Sequence, residues 1–114
     1  MANDKLTEQS LDFAVHIINL VRQLKEQREN IMSNQIGRSG TSIGANIREA
    51  FYVHGRADFI SKLQIALKEC SETEYWIELI FESGYYHDKI LLDKCTEIKR
   101  ILITSINTAK ENIK

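Results

Sequence analysis

Apolar residues recur along most of this chain at three- and four-residue steps, the period of one face of an α-helix. Leu11, Ala14, Val15, Ile18, Val21 and Leu24 form the first such stripe, with Ile17 and Leu20 widening it, and the spacing predicts a helix from about Thr7 to Glu29. A second segment, about Ile31 to Val53, takes its apolar face from Ile36, Ile43, Ile47, Ala50 and Phe51. It also contains Gly37, Gly40 and Gly44. Each glycine costs a helix about 1 kcal/mol relative to alanine, so local propensity argues for a break. The spacing argues the other way: Ser33, Gly37, Gly40 and Gly44 follow at steps of four, three and four, a strip of minimal side chains on one face. Such a strip lets a neighbouring helix approach closely, and the segment is read as helical.

Gly55, within His54-Gly55-Arg56, and Gly84, after Ser83, suit positions just past a helix end. Between them the pattern predicts a third helix, about Ala57 to Ser83, with Phe59, Leu63, Ala66, Cys70, Ile77, Ile80 and Phe81 as its main stripe. A fourth helix is expected to start near His87-Asp88, where an acid favours the helix dipole. Its face is Leu91, Cys95, Ile98, Leu102, Ile106, Ala109 and Ile113. Four long helices with short turns fold most economically as an all-α, antiparallel up-down-up-down four-helix bundle, one domain spanning 1–114. The apolar faces are broader than a bundle seam requires. Ile60, Leu67, Trp76, Ile90 and Ile103 are hard to place in a single core, and the expectation is a homo-oligomer that covers such residues between subunits.

Composition agrees with this outline. The chain of 114 residues is 43% hydrophobic and 27% charged, ordinary for a globular domain. It has no proline, which favours uninterrupted helices. The N-terminal residues are polar with no signal-like apolar stretch, and no apolar run approaches a membrane span, so a cytoplasmic protein without membrane contact is expected. Cys70 and Cys95 stand apart from any Cys-x-x-Cys pair and are expected as reduced core residues. The net charge of −1 does not mark a strongly basic nucleic-acid binder. Charge is nonetheless uneven: Asn19–Arg48 and the C-terminal stretch lean basic, while Asp58–Gly84 leans acidic. Beyond solvated helix faces, this pattern suits acidic and basic faces meeting between subunits, or an assembly with positive charge on one surface.

The densest polar constellation lies on the second helix. Ser39, Ser42, Asn46 and Glu49 share one face, and Arg38 precedes Ser42 by a turn. Hydroxyls, an amide and a carboxylate in one row can satisfy one another when buried, or can contact a ligand or RNA. No serine has a histidine at helical neighbour spacing, so no catalytic residues are assigned and an enzyme is not expected. The glycines match neither phosphate-binding spacing, G-x-x-x-x-G-K-[ST] or G-x-G-x-x-G, so no nucleotide cofactor is expected. A di-metal carboxylate site needs Glu-x-x-His pairs, and His16, His54 and His87 lack the glutamate. No cofactor, metal or small-molecule substrate is therefore expected. Phe51, Tyr52, Tyr75, Trp76, Tyr85 and Tyr86 could stack on unpaired bases, although packing is the simpler role.

The stretch from Gln35 to Ala50, QIGRSGTSIGANIREA, resembles the hallmark of the bacterial four helix bundle proteins, also called the 23S rRNA intervening-sequence proteins. A second block agrees: Ala57-Asp58-Phe59-Ile60, Lys62-Leu63, Ile65 to Glu69, and Glu72 to Trp76, with Asp12-Phe13-Ala14 in the first helix. The similarity spans about Leu11 to Lys110. It implies a four-helix bundle assembled as a ring-shaped homopentamer with a central channel. The label "ribosomal protein" follows from members encoded within 23S rRNA genes. A distant relative, the accessory variability determinant of diversity-generating retroelements, is a basic pentameric barrel that binds nucleic acid and a reverse transcriptase. The resemblance thus implies a self-assembling adaptor for RNA or DNA; the basic residues of this sequence expected to make its first contacts are Arg22, Lys25, Arg28, Arg38, Arg48 and Arg56. The alternative is a structural or protein-interaction ring with no nucleic-acid role. The family carries no catalytic residues to transfer.

Overall fold

The computed structural model describes the backbone of residues 2–113 and the side chains of residues 5–112. Four helices follow one another: α1 (Ala2–Glu26), α2 (Ile31–Ala50), α3 (Arg56–Glu82) and α4 (Ile90–Ile113). They lie side by side in a body 50 × 20 × 20 Å. α1 touches α2 and α4, and α3 touches the same two, so α1 and α3 stand at opposite corners.

The glycine-bearing segment is one unbroken helix, and the reason lies in α1. A Cβ at Gly40 would sit 2.8 Å from Ile17 Cγ1, and one at Gly44 would sit 3.3 Å from Ser10 Oγ. The strip allows α1 and α2 to approach more closely than side chains would permit.

The expected apolar face of α1 needs correction. The buried stripe is Leu6, Ser10, Phe13, Ile17, Leu20 and Leu24. Leu11, Val15 and Ile18, expected in the core, are 57%, 53% and 41% exposed. Ser10 and Ile17 must face the glycine strip, and that rotates Leu11, Val15 and Ile18 outward. Ile60, expected outside the core, is buried; Leu67 and Trp76 pack partly against it, while Ile90 and Ile103 are exposed. Thr73, absent from the expected α3 stripe, is fully buried.

The helix ends also differ from expectation. α1 stops at Glu26, three residues before Glu29, because Arg28 takes φ 62° and reverses the chain. Glu29 N–H bonds to the Leu24 carbonyl at 2.9 Å and Arg28 N–H to Lys25 at 2.9 Å, a Schellman closure. α3 closes in the same way around Gly84 at φ 81°, with Tyr85 N–H bonded to the Ile80 carbonyl at 3.2 Å. The first closure therefore holds an arginine where glycine fits without strain. Arg28→Gly is expected to raise stability by about 0.5–1 kcal/mol, read as a higher urea midpoint at unchanged slope. A lower midpoint would show that the Arg28 side chain contributes more than its backbone loses. α4 starts at Ile90 rather than near His87, and Asp88 Oδ1 accepts the Ile90 N–H at 3.0 Å.

Candidate binding surfaces

The polar ridge of α2 is largely committed inside the molecule. Ser42 Oγ donates to the Ser39 carbonyl at 3.0 Å, and Asn46 Nδ2 donates to the Ser42 carbonyl at 2.9 Å. Ser39 is buried, and its hydroxyl is hydrogen-bonded to that of Thr73 on α3 at 2.9 Å. Thr73 Oγ1 also lies 2.7 Å from the Glu69 carbonyl, so one hydroxyl gives its proton to one neighbour and accepts from the other. At the rims, Arg38 pairs with Glu69 at 3.5 Å and with Glu72, and Lys62 reaches Glu49 at 3.4 Å. Glu72 also accepts the Trp76 indole N–H at 3.0 Å. The bonds that cross between the helices, Ser39 to Thr73, Arg38 to Glu69 and Glu72, and Lys62 to Glu49, fix the register of α2 on α3, and Arg38, held by two carboxylates, is the least available of the expected nucleic-acid contacts.

The remaining expected contacts do not converge. Arg22, Lys25 and Arg28 are exposed near the α1–α2 turn, while Arg48 and Arg56 are exposed around the α2–α3 turn at the other end. Arg22 donates to Asn19 at 3.5 Å and Lys25 to Asn34 at 3.0 Å. At the far end Tyr52 is 82% exposed and lies one helical turn beyond Arg48, with His54 and Arg56 following. Arg48, Tyr52, Ala45, Glu49 and Val53 line a shallow depression there. This end thus interleaves cations with an open aromatic face.

A second surface escaped the sequence pattern: the outward stripe of α1 made by Leu11, Val15 and Ile18. Its signal was present, since the steps continue to Arg22 and Lys25, which a core stripe would not carry. The inward stripe is apolar from Phe13 through Leu24.

Between α1 and α4 a groove of about 340 Å³ is lined by Gln9, Asp12, Ile90, Asp93, Lys94, Glu97 and Ile98. Three of its four charges are answered locally, Asp93 being the exception. Lys94 donates to Asp12 at 2.8 Å and Arg100 to Glu97 at 2.9 Å. The Lys94 hydrogen bond holds the Asp12 carboxyl below the usual carboxylate range. Across α3 and α4, Lys99 donates to Glu74 at 2.9 Å, which raises the Lys99 ammonium above its ordinary value. Burial raises the Tyr86 phenol. Cys70 and Cys95 are both buried free thiols; Cys95 Sγ donates to the Cys70 carbonyl at 3.6 Å, and this contact with Cys70, with burial, pushes the Cys95 thiol far upward. A thiol raised in this way is a poor nucleophile. Among the described residues no cluster of three metal-ligating side chains occurs, and no helix is long and apolar enough to cross a membrane.

Comparison with known proteins places these surfaces in a family. The chain is similar to a protein of unknown function from the S23 ribosomal protein family of Bacteroides thetaiotaomicron, whose crystal structure is known. The two share 50% sequence identity over 94% of this chain and 99% of that one, with a TM-score of 0.90. A comparison with curated proteins finds no match. Residues 3–104 match the family described as 23S rRNA-intervening sequence protein. With that match over most of its length, the chain belongs to the 23S rRNA-intervening sequence protein family.

Proposed function

We propose that the chain is a non-enzymatic adaptor that assembles with copies of itself and presents its α2–α3 end to single-stranded RNA or DNA. The observation that carries the binding half is Tyr52, 82% exposed between Arg48 and Arg56. An open ring stacks on a base while flanking guanidinium groups meet phosphates, a combination that suits unpaired nucleic acid of any sequence. Assembly multiplies such an end: copies side by side would crown one face of a ring with the same triplet, and linked weak sites bind tightly together. The self-assembly half rests on the outward stripe of α1, which leaves three large apolar side chains in water on a single chain. A ring of five is the assembly that the family resemblance implies, with a polymerase or reverse transcriptase as the protein partner.

The test is fluorescence anisotropy of a labelled single-stranded oligonucleotide. Binding is expected at low salt and should weaken steeply as salt rises, because phosphate contacts release counterions. Tyr52→Ala should weaken it about 5- to 150-fold, in line with about 1–3 kcal/mol per stacked base. Arg48→Ala with Arg56→Ala should flatten the salt slope by about 1.4, at about 0.7 for each phosphate contact on a single strand. A wild-type protein that binds neither RNA nor DNA at low salt would refute the binding half. The net charge of −1 favours a second reading, a ring that holds other proteins. Under that reading, assembly persists and partners recovered with it survive nuclease treatment.

A further inference from the structure

Arg48 and Lys25 stand at opposite ends of the molecule, yet both border the seam between α1 and α2. We propose that single-stranded nucleic acid lies lengthwise along this seam, held by Arg48 and Tyr52 at one end and by Lys25 at the other. This rests on the binding half of the proposed function and gives that site its path and length.

Ion pairs set this seam apart from the other three. α2 is tied to α3 by Arg38 with Glu69 and Glu72, and by Lys62 with Glu49. α3 is tied to α4 by Lys99 with Glu74, and α4 to α1 by Lys94 with Asp12 and Lys5 with Glu97. Among the described residues no ion pair joins α1 to α2, and neither Lys25 nor Arg48 has a carboxylate within ion-pair distance. The side chains that meet along the seam are neutral until its cationic ends. Ser10 lies against Gly44, Ile17 against Gly40 and Val21 against Gly37, and Lys25 Nζ donates to the Asn34 side chain at 3.0 Å. The neighbouring acids are turned away or engaged. Glu8 and Glu26 each follow a seam residue by one position, about 100° around α1, and both are exposed. Glu29 accepts the first amides of α2, and Glu49 meets Lys62.

The seam is also open to a ligand. A groove of about 160 Å³ runs between Thr7, Leu11 and Ala14 of α1 and Thr41, Gly44 and Arg48 of α2. Arg48 and Ala45 also line the depression beside Tyr52, so the groove continues into the stacking end. Small side chains let a strand approach the backbone closely, and a cationic groove with an open aromatic ring holds bases of any identity. From Asn34, level with Lys25, to Arg48 the helix rises about 21 Å. A strand on the order of five nucleotides reaches both ends, near the lower limit of sites that track single strands.

Fluorescence anisotropy with a labelled ten-nucleotide oligothymidylate at about 50 mM salt, where screening is modest, tests the path. Thr41 stands about two turns before Arg48, away from the Tyr52 end. Thr41→Glu sets a carboxylate against the phosphates and should weaken binding at least about 10-fold. Asn107→Glu, the same charge change at an exposed position of α4, should weaken it less than about twofold. Lys25→Ala should flatten the salt slope by about 0.7, the share of one phosphate contact on a single strand. Circular dichroism checks that the helices persist. Lys25 is exposed, so its variant tests the path even if the half-buried Thr41→Glu variant loses its fold. A wild-type chain that binds no strand removes this inference and the binding half together. A wild-type chain that binds, with an unchanged salt slope in Lys25→Ala or a folded Thr41→Glu that matches Asn107→Glu, removes only the path and leaves the strand at the Tyr52 end.

Discussion

Gly40→Leu is expected to cost about 3 kcal/mol of stability, a large share of the 5–15 kcal/mol typical of a whole domain. A Cβ there would meet Ile17 Cγ1 at 2.8 Å, Cγ2 at 3.0 Å and Cδ1 at 3.1 Å. Ile17 is fully buried and β-branched, so it has neither room nor a second easy rotamer to move into. The leucine must instead push α1 away from α2, which opens the core along the whole strip. Gly37→Ala is the control. Its Cβ would meet only Val21 Cγ2, at 3.4 Å, an ordinary contact. Alanine there should stabilise α2 by about 0.5–1 kcal/mol through helix propensity alone. Urea unfolding at one fixed protein concentration separates the two, with midpoints moving in opposite directions. Ile17→Ala combined with Gly40→Leu should recover part of the loss, because the space is shared. Equal stability of Gly40→Leu and the parent chain would mean that the strip is not where α1 and α2 touch.

That strip was legible before any coordinates, because glycine and serine at helical steps have few other uses. The number of helices was legible as well, since turn glycines and apolar periodicity agree across the chain. The rotation of α1 was not. Two apolar stripes run along that helix, one through Phe13 and Ile17 and one through Leu11, Val15 and Ile18, and periodicity alone does not say which faces inward. The decision comes from α2, whose glycines need Ser10 and Ile17 against them. Ile60 was misplaced for a related reason: its burial depends on how α3 packs against its neighbours, which no local pattern reports. The surfaces proposed for function were half legible. Arg48, Tyr52 and Arg56 are visible as types, but their gathering at one end, apart from Arg22 and Lys25, follows from the antiparallel course of α1 and α2. The polar ridge was visible as a row, while its partner, Thr73, lies 34 residues away in sequence.

Glu29→Ala is expected to cost about 2 kcal/mol, more than any substitution at the residue that looks like the cap of α2. Asn30 occupies the N-cap position and is a residue type that caps well, yet its side chain makes no capping bond. Glu29 does that work from one residue earlier. Its Oε1 accepts the Met32 N–H at 2.7 Å and the Ser33 N–H at 3.0 Å, and its Oε2 accepts the Ile31 N–H at 3.2 Å. Ser33 Oγ returns a bond to the Glu29 carbonyl at 2.8 Å. Three of the four N–H groups that a helix start leaves unmatched are thus met by one carboxylate, whose charge also suits the positive end of the helix dipole. The residue is buried, so water replaces these bonds poorly once the carboxylate is gone. Asn30→Ala should change stability by less than about 0.5 kcal/mol, and Glu29→Gln, which keeps an acceptor without the charge, should fall between the two. Amide hydrogen exchange adds a local reading, since the Ile31, Met32 and Ser33 amides should lose protection in Glu29→Ala before the rest of α2 does. If Asn30→Ala proves the more damaging, the helix is capped from Asn30 in solution, and the turn that sets α1 against α2 is built differently from the one described.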